Sequence, residues 1–228
     1  MSSIRCFVLL TAASLCGCFS YATMRTAHTV DPGDREISVG AGVVGGLNGA
    51  QGADPVDNAT IGHLGARYGL SAKLDIGARL NGLGAAVDLG WAFVDAPRFA
   101  MAFAPEIAFS FQKPTTFNAS GSLLAPSIVN QVTAHAGLLA DLIRGPRTTV
   151  TLGVEPGFML VTGPNFVGNT GPYVGASLGY RWEIPVGDSP GLPPILTPTI
   201  DARMPLDSTS LRFHTIGYSA LLGVSTRL

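Results

Sequence analysis

Apolar and polar residues alternate one by one along most of this chain, and the alternation is clearest at its end. In residues 215–228, Ile216, Tyr218 and Val224 share one side, and the other side is small or polar except for Leu221. A period of two residues predicts a β-strand with one apolar face. The same pattern predicts ten strands, at approximately 36–46, 60–69, 73–80, 84–94, 97–111, 129–142, 147–161, 172–183, 194–204 and 214–228.

The charged residues of these strands all have the parity opposite to that of most bulky apolar residues. They are Glu36, Arg67, Lys73, Asp75, Arg79, Asp88, Arg98, Glu106, Asp141, Arg147, Glu155, Arg181, Glu183, Asp201, Arg203 and Arg227, eight acidic and eight basic. Parity alone fits either a membrane barrel with a polar interior or a soluble barrel with an apolar interior.

Two features favour an apolar exterior. The charged face also carries many small residues, such as Gly40, Ala102 and Gly153, as a narrow interior requires. Aromatic residues, Trp91 and Tyr180 among them, collect near strand ends, where membrane-spanning barrels carry aromatic girdles. The last strand also needs a partner, which a closed sheet supplies. The pattern therefore predicts an all-β fold, a closed antiparallel transmembrane up-and-down β-barrel of about ten strands, located in the bacterial outer membrane.

The predicted connections alternate for the most part between short turns and longer loops. Long loops are expected at 47–59, 112–128 and 162–171, whereas the connection at 81–83 is tight and the one at 184–193 is extended. In outer-membrane barrels the short turns face the periplasm, and an even strand number places both termini on that side.

Three prolines interrupt predicted strands on the lipid-facing side: Pro105, Pro156 and Pro198. A proline removes one hydrogen bond from the strand ladder and is usually found at a sheet edge or a bulge. We therefore expect β-bulges at Pro105-Glu106 and at Glu155-Pro156.

Composition agrees with strands and limits the possible partners. The chain has 29 glycines, 16 prolines, 13% charged residues and a mean hydropathy of +0.35. No run of about 18 apolar residues follows the first twenty positions, so no spanning helix is expected. The formal net charge of −1 gives no reason to expect nucleic acid as a partner. All three cysteines lie within the first eighteen residues, which leaves the barrel without a disulfide framework or a cysteine metal site.

The N-terminus has the form of a secretory signal over residues 1–17. Its end resembles a bacterial lipoprotein signal, because Leu15 and Gly17 precede Cys18, although Cys16 stands where Ala or Ser is usual. We predict lipidation at Cys18, for example with palmitate, a lipidated tether over residues 18–35 and the barrel over residues 36–228. The alternatives are an ordinary signal peptide with incidental cysteines and a segment that enters the barrel as a plug.

Residues 67–79, Arg-Tyr-Gly-Leu-Ser-Ala-Lys-Leu-Asp-Ile-Gly-Ala-Arg, resemble the "R-Y-G-L-S/T-x-R/K-L-D-L-G-x-R" hairpin of uncharacterised bacterial outer-membrane β-barrel lipoproteins. Residues 23–26 and 32–34 are similar to the segment between lipid and first strand in that family. The last strand keeps only part of the outer-membrane assembly signal, because it ends in Leu228 instead of Phe. The resemblance implies contact with outer-membrane lipids and with the barrel assembly and lipoprotein sorting machinery. It transfers no activity and no cofactor.

Balanced charges inside a barrel of ten strands predict a lumen filled by salt-bridged side chains. The expected role is then envelope structure or surface interaction through the loops at 47–59 and 112–128. The alternative is a narrow channel for small solutes, with Asp75, Arg79, Glu106 and Glu155 as constriction residues.

A third alternative is a membrane-embedded hydrolase of lipids or peptides that uses His135 and Ser177. Ser177 lies in a Gly-x-Ser-x-Gly sequence, but this motif functions at a sharp turn between strand and helix and here falls within a predicted strand. We therefore expect no enzyme, no cofactor and no metal.

Overall fold

The computed structural model describes residues 25–48, 56–82, 84–112, 129–163, 166–185, 193–206 and 215–228. The strands are β1 (Arg35–Asn48), β2 (Val56–Ser71), β3 (Leu74–Asn81), β4 (Gly84–Ala96), β5 (Phe99–Gln112), β6 (Val129–Arg144), β7 (Thr148–Gly163), β8 (Phe166–Glu183), β9 (Ile195–Pro205) and β10 (Thr215–Arg227). The ten predicted strands are confirmed, and their ends agree closely except at the starts of β2 and β8, which lie earlier than predicted. Within the described residues, no helix has the length and hydropathy needed to cross a membrane.

The sheet is closed. Neighbouring strands in the sequence pair antiparallel, and β1 pairs with β10. The last residue takes part in this closure, because the Leu228 amide donates to the Arg35 carbonyl at 2.8 Å and the Arg35 amide donates to the Leu228 carbonyl at 3.2 Å. The predicted closed antiparallel barrel is therefore confirmed. We call the end at which β1 begins and β10 ends the periplasmic end.

The two faces of the barrel differ as the alternation predicts. Apolar side chains of the outer face are exposed on the isolated chain, among them Ile76, Val87, Ile107, Leu138, Val154, Leu178, Ile200 and Leu222. The inner face contains small residues and ions, and Leu221 is buried there. Three charges assigned to the inner face are instead exposed in periplasmic turns: Lys73, Arg98 and Arg147.

The bulges expected at Pro105 and Pro156 are wrong. Pro105 pairs with Ala136 in unbroken register, and Pro156 pairs with Val174 in the same way. Each proline has a second neighbouring strand, β4 for Pro105 and β6 for Pro156. There the expected pairs with Leu89 and Ala136 are not formed, but the register is the same before and after the gap. A proline removes a donor on one side only, so no extra residue is needed. The register shifts lie at Val44/Gly46, Gly69/Ser71, Ala92/Val94, Asp141/Ile143 and Val161/Gly163.

The long loop expected at 162–171 is also wrong. β7 and β8 continue as a paired hairpin until Gly163 lies opposite Phe166. A strand that extends beyond the bilayer no longer needs an apolar outer face. Its backbone pairing can therefore continue past the point where the alternation of apolar and polar residues ends.

Of residues 25–34, which the sequence assigns to the tether, 25–30 lie inside the periplasmic end of the barrel and 31–33 are exposed at its mouth. Pro32 forms an isolated bridge with Gly69, and the Gly33 amide donates to the Gly69 carbonyl at 2.9 Å. Further into the lumen, Ala27 and Val30 are buried. For these residues the structure therefore shows the plug arrangement; the rest of the predicted tether, the signal and Cys18 lie outside the described residues.

Candidate functional site in the lumen

The first charge cluster joins three adjacent strands in the periplasmic half of the lumen. Arg67 of β2 binds Asp75 of β3, and its Nη1 donates to Oδ1 of Asp88 of β4 at 2.7 Å. Gly77 separates the Arg67 and Asp88 backbones in β3, and a Cβ there would lie 2.7 Å from both Arg67 Nη1 and Asp88 Oδ2. The glycine therefore allows the ion pair to cross an intervening strand.

Arg25 of the N-terminal segment completes this cluster. Its Nη1 donates to Asp88 Oδ1 at 2.6 Å, and its Nη2 lies 3.8 Å from Asp75 Oδ1. Nη2 also donates to the Leu89 carbonyl at 2.9 Å. Leu89 stands opposite Pro105 in the interrupted part of the ladder, and Pro105 has no N–H to offer. Arg25 thus supplies a donor where the wall has lost one.

The second cluster crosses from β3 to β9. Arg79 binds Glu106 through its two terminal nitrogens, Nη1 and Nη2, with Nη2 2.6 Å from Oε1. His135 follows, with Nδ1 3.9 Å from Glu106 Oε1 and Nε2 3.8 Å from Glu155 Oε2. Arg203 Nη2 donates to Glu155 Oε2 at 3.0 Å. All five side chains are buried, and each ion lies close to an ionic or imidazole neighbour. A buried ion needs such a neighbour because it has lost its contact with bulk water.

Tyr173 of β8 links two members of the second cluster. Its hydroxyl accepts from Arg203 Nη1 at 3.0 Å and lies 3.2 Å from His135 Nδ1. The Arg203 guanidinium also stands over the tyrosine ring, 5.0 Å from its centroid. The tyrosine therefore fixes both partners and fills the space between them.

Small cavities of about 30 Å³ and about 10 Å³ lie among the described residues of the lumen. The larger is lined by Arg25 together with Arg67, Arg79 and Asp88, among others. The smaller is lined by Arg25, Ala104, Glu106, His135, Gly137, Leu139 and Glu155. Each has room for roughly one or two waters. Arg25 lines both cavities.

The periplasmic mouth carries a further charge cluster. Arg144 Nη1 donates to Asp95 Oδ1 at 2.6 Å, and Arg144 Nη2 lies 3.2 Å from His28 Nδ1. Burial, followed by the nearby Arg144 charge, lowers the pKa of His28 below its ordinary value of 6.5. His28 is therefore neutral at pH 7, and its Nδ1 can accept from Arg144. The same cluster that ties β4 to β6 thus also holds the N-terminal segment.

The four predicted constriction residues belong to these clusters. Asp75 lies in the first cluster, whereas Arg79, Glu106 and Glu155 lie in the second. The sequence interpretation did not include Arg25, which contacts Asp75 and lines cavities beside the other three.

The candidate hydrolase residues lie close to one carboxylate. Ser177 Oγ donates to Glu155 Oε1 at 3.3 Å, so its partner is a carboxylate and not His135. The Gly-x-Ser-x-Gly sequence lies inside β8, without the strand-to-helix turn that exposes a nucleophile. Among the described residues, no group of three or more His, Cys, Asp and Glu side chains is arranged to hold a metal ion.

No protein-family model matches this chain, and no curated protein matches it. Among solved structures, an outer membrane channel from Pseudomonas putida F1 is similar, with a TM-score of 0.53 and 10% identity over 88% of this chain and 98% of that chain. The translocator domain of autotransporter NalP from Neisseria meningitidis has a TM-score of 0.47 and 12% identity over 100% of this chain and 95% of its own. Neisserial surface protein A has a TM-score of 0.44 and 10% identity over 85% of this chain and 98% of its own. The closed barrel, its apolar exterior and its ionic interior define a β-barrel protein of the bacterial outer membrane.

Proposed function

We propose that this protein is an outer-membrane lipoprotein, acylated at Cys18, whose barrel is closed by its own side chains and acts in envelope structure or surface interaction. The loops at 47–59 and 112–128 would provide the interacting surface. The partners are outer-membrane lipids, the barrel assembly machinery and the lipoprotein sorting machinery. The interior is structural and not catalytic.

The filled lumen is the observation that carries this proposal. Arg79 and Glu106 pair directly, and Arg203 pairs with Glu155 across the same region. The two cavities beside these pairs, of about 30 and 10 Å³, each have room for only one or two waters. Buried charges held in pairs are typical of a fixed interior, because moving either partner would leave an unpaired ion.

Conductance in planar lipid bilayers tests the closed lumen. The purified full-length protein is expected to produce no steady single-channel steps in 1 M KCl. Heat-dependent mobility in detergent gels verifies that the inserted protein is folded. Regular steps from the folded wild type would contradict the closed lumen and favour the narrow channel. Palmitate labelling that is lost on Cys18→Ala would support the lipid anchor.

A further inference from the structure

The N-terminal segment is held by carboxylates that project from the barrel wall. The Ala27 amide donates to Asp141 Oδ1 at 3.0 Å, and the Val30 amide donates to Asp75 Oδ2 at 3.0 Å. Both carboxylates are buried on the inner face. A buried carboxylate needs donors, and two of these donors come from the segment and not from the barrel.

The wall has glycines where the segment passes closest to it. A Cβ at Gly69 would overlap the backbone carbonyls of Val30 and Asp31. A Cβ at Gly90 would overlap the Arg25 guanidinium and the Asp75 carboxylate. Most other glycines of the inner face would meet atoms of the barrel itself, as at Gly175, where the nearest atoms belong to Arg203 and Glu155. Gly69 and Gly90 therefore make room for the segment.

The described inner wall contains more acidic than basic residues. Its buried acids number seven, and the arginines paired with or adjacent to them number five. The acids are Glu36, Asp75, Asp88, Glu106, Asp141, Glu155 and Asp201, and the arginines are Arg67, Arg79, Arg181, Arg203 and Arg227. The difference, 5 − 7 = −2, is reduced to −1 when Arg25 is counted. The segment thus brings a cation into a wall that lacks one.

We propose that residues 25–30 are a displaceable plug, and that their withdrawal opens an acid-rich pathway for small cations through the barrel, with the second cluster as its constriction. Arg25 lines both cavities, so its removal enlarges each of them. Removal of the whole segment also takes a donor from each of Asp75, Asp88 and Asp141, whose carboxylates then face water at the periplasmic half. A lumen with an excess of acidic residues attracts cations more than anions, which gives the cation selectivity. The inference rests on the proposed closed state of the intact protein.

Bilayer recording of glycine variants tests the plug. Gly69→Val and Gly90→Ala place side-chain atoms where the segment lies, and a third variant lacks residues 25–30. All three are expected to show conductance steps that the wild type lacks, with a reversal potential in a KCl gradient close to that for K⁺. Gly175→Ala is the matched control, because its new methyl group meets barrel side chains only, and it is expected to remain silent.

The outcomes separate the two proposals. Folded plug variants that remain silent, or that prefer Cl⁻, would overturn the plug inference and leave the closed barrel standing. Steps from the wild type would contradict the closed barrel itself. A variant that loses its heat-dependent mobility is unfolded, and the deletion variant then decides, because it adds no atoms to the wall.

Discussion

Replacing Arg79 with alanine is expected to lower the free energy of unfolding by about 3–5 kcal/mol, because Glu106 would remain as a buried and unpaired charge. The two side chains are 7% and 4% exposed, so water cannot replace the lost guanidinium. The measurement is urea-induced unfolding in lipid vesicles at neutral pH, followed by tryptophan fluorescence.

Two matched variants identify the origin of this effect. Arg144→Ala breaks the ion pair with Asp95 at the partly exposed mouth, and it is expected to cost less than about 1 kcal/mol. The double variant Arg79→Met with Glu106→Leu replaces the buried pair by apolar groups of similar size, and we expect stability close to wild type. If Arg79→Ala cost no more than Arg144→Ala, the lumen would be hydrated and the filled interior would be wrong.

The strands and their faces could be predicted because a bilayer imposes a strict rule on sequence. Every outward residue of the spanning part must be apolar, so a run such as Val87-Asp88-Leu89 assigns its own faces. The same rule weakens outside the bilayer, where β8 begins at Phe166, earlier than its periodicity indicates. The bulge predicted at Pro105 is wrong for another reason. Arg25, a residue far away in the sequence, donates to the carbonyl that the proline cannot reach with an N–H.

The N-terminal segment could not be placed from sequence alone. It has no period of two, and its partners lie far along the chain, 63 positions from Arg25 to Asp88 and 114 from Ala27 to Asp141. The charges on the predicted strands are balanced. Only the structure puts Lys73, Arg98 and Arg147 in turns, and the remaining strand charges are then predominantly acidic, which calls for a cation from elsewhere.

The tryptophans provide the second large expected effect. The chain contains two, Trp91 on β4 and Trp182 on β8, and both are exposed on the outer face, 51% and 40%. In a membrane barrel these rings lie in the girdle at the periplasmic boundary of the bilayer, in contact with lipid. All indole fluorescence of the protein therefore reports on the outer face.

Fluorescence of the wild type in vesicles whose acyl chains carry bromine near the carbonyl end measures this contact directly, because bromine quenches an indole that it touches. We expect most of the emission to be lost relative to unbrominated vesicles, and iodide added to the water to have little effect. Emission that bromine leaves unchanged and iodide reduces would place the apolar face in water, and the membrane-spanning orientation would be wrong.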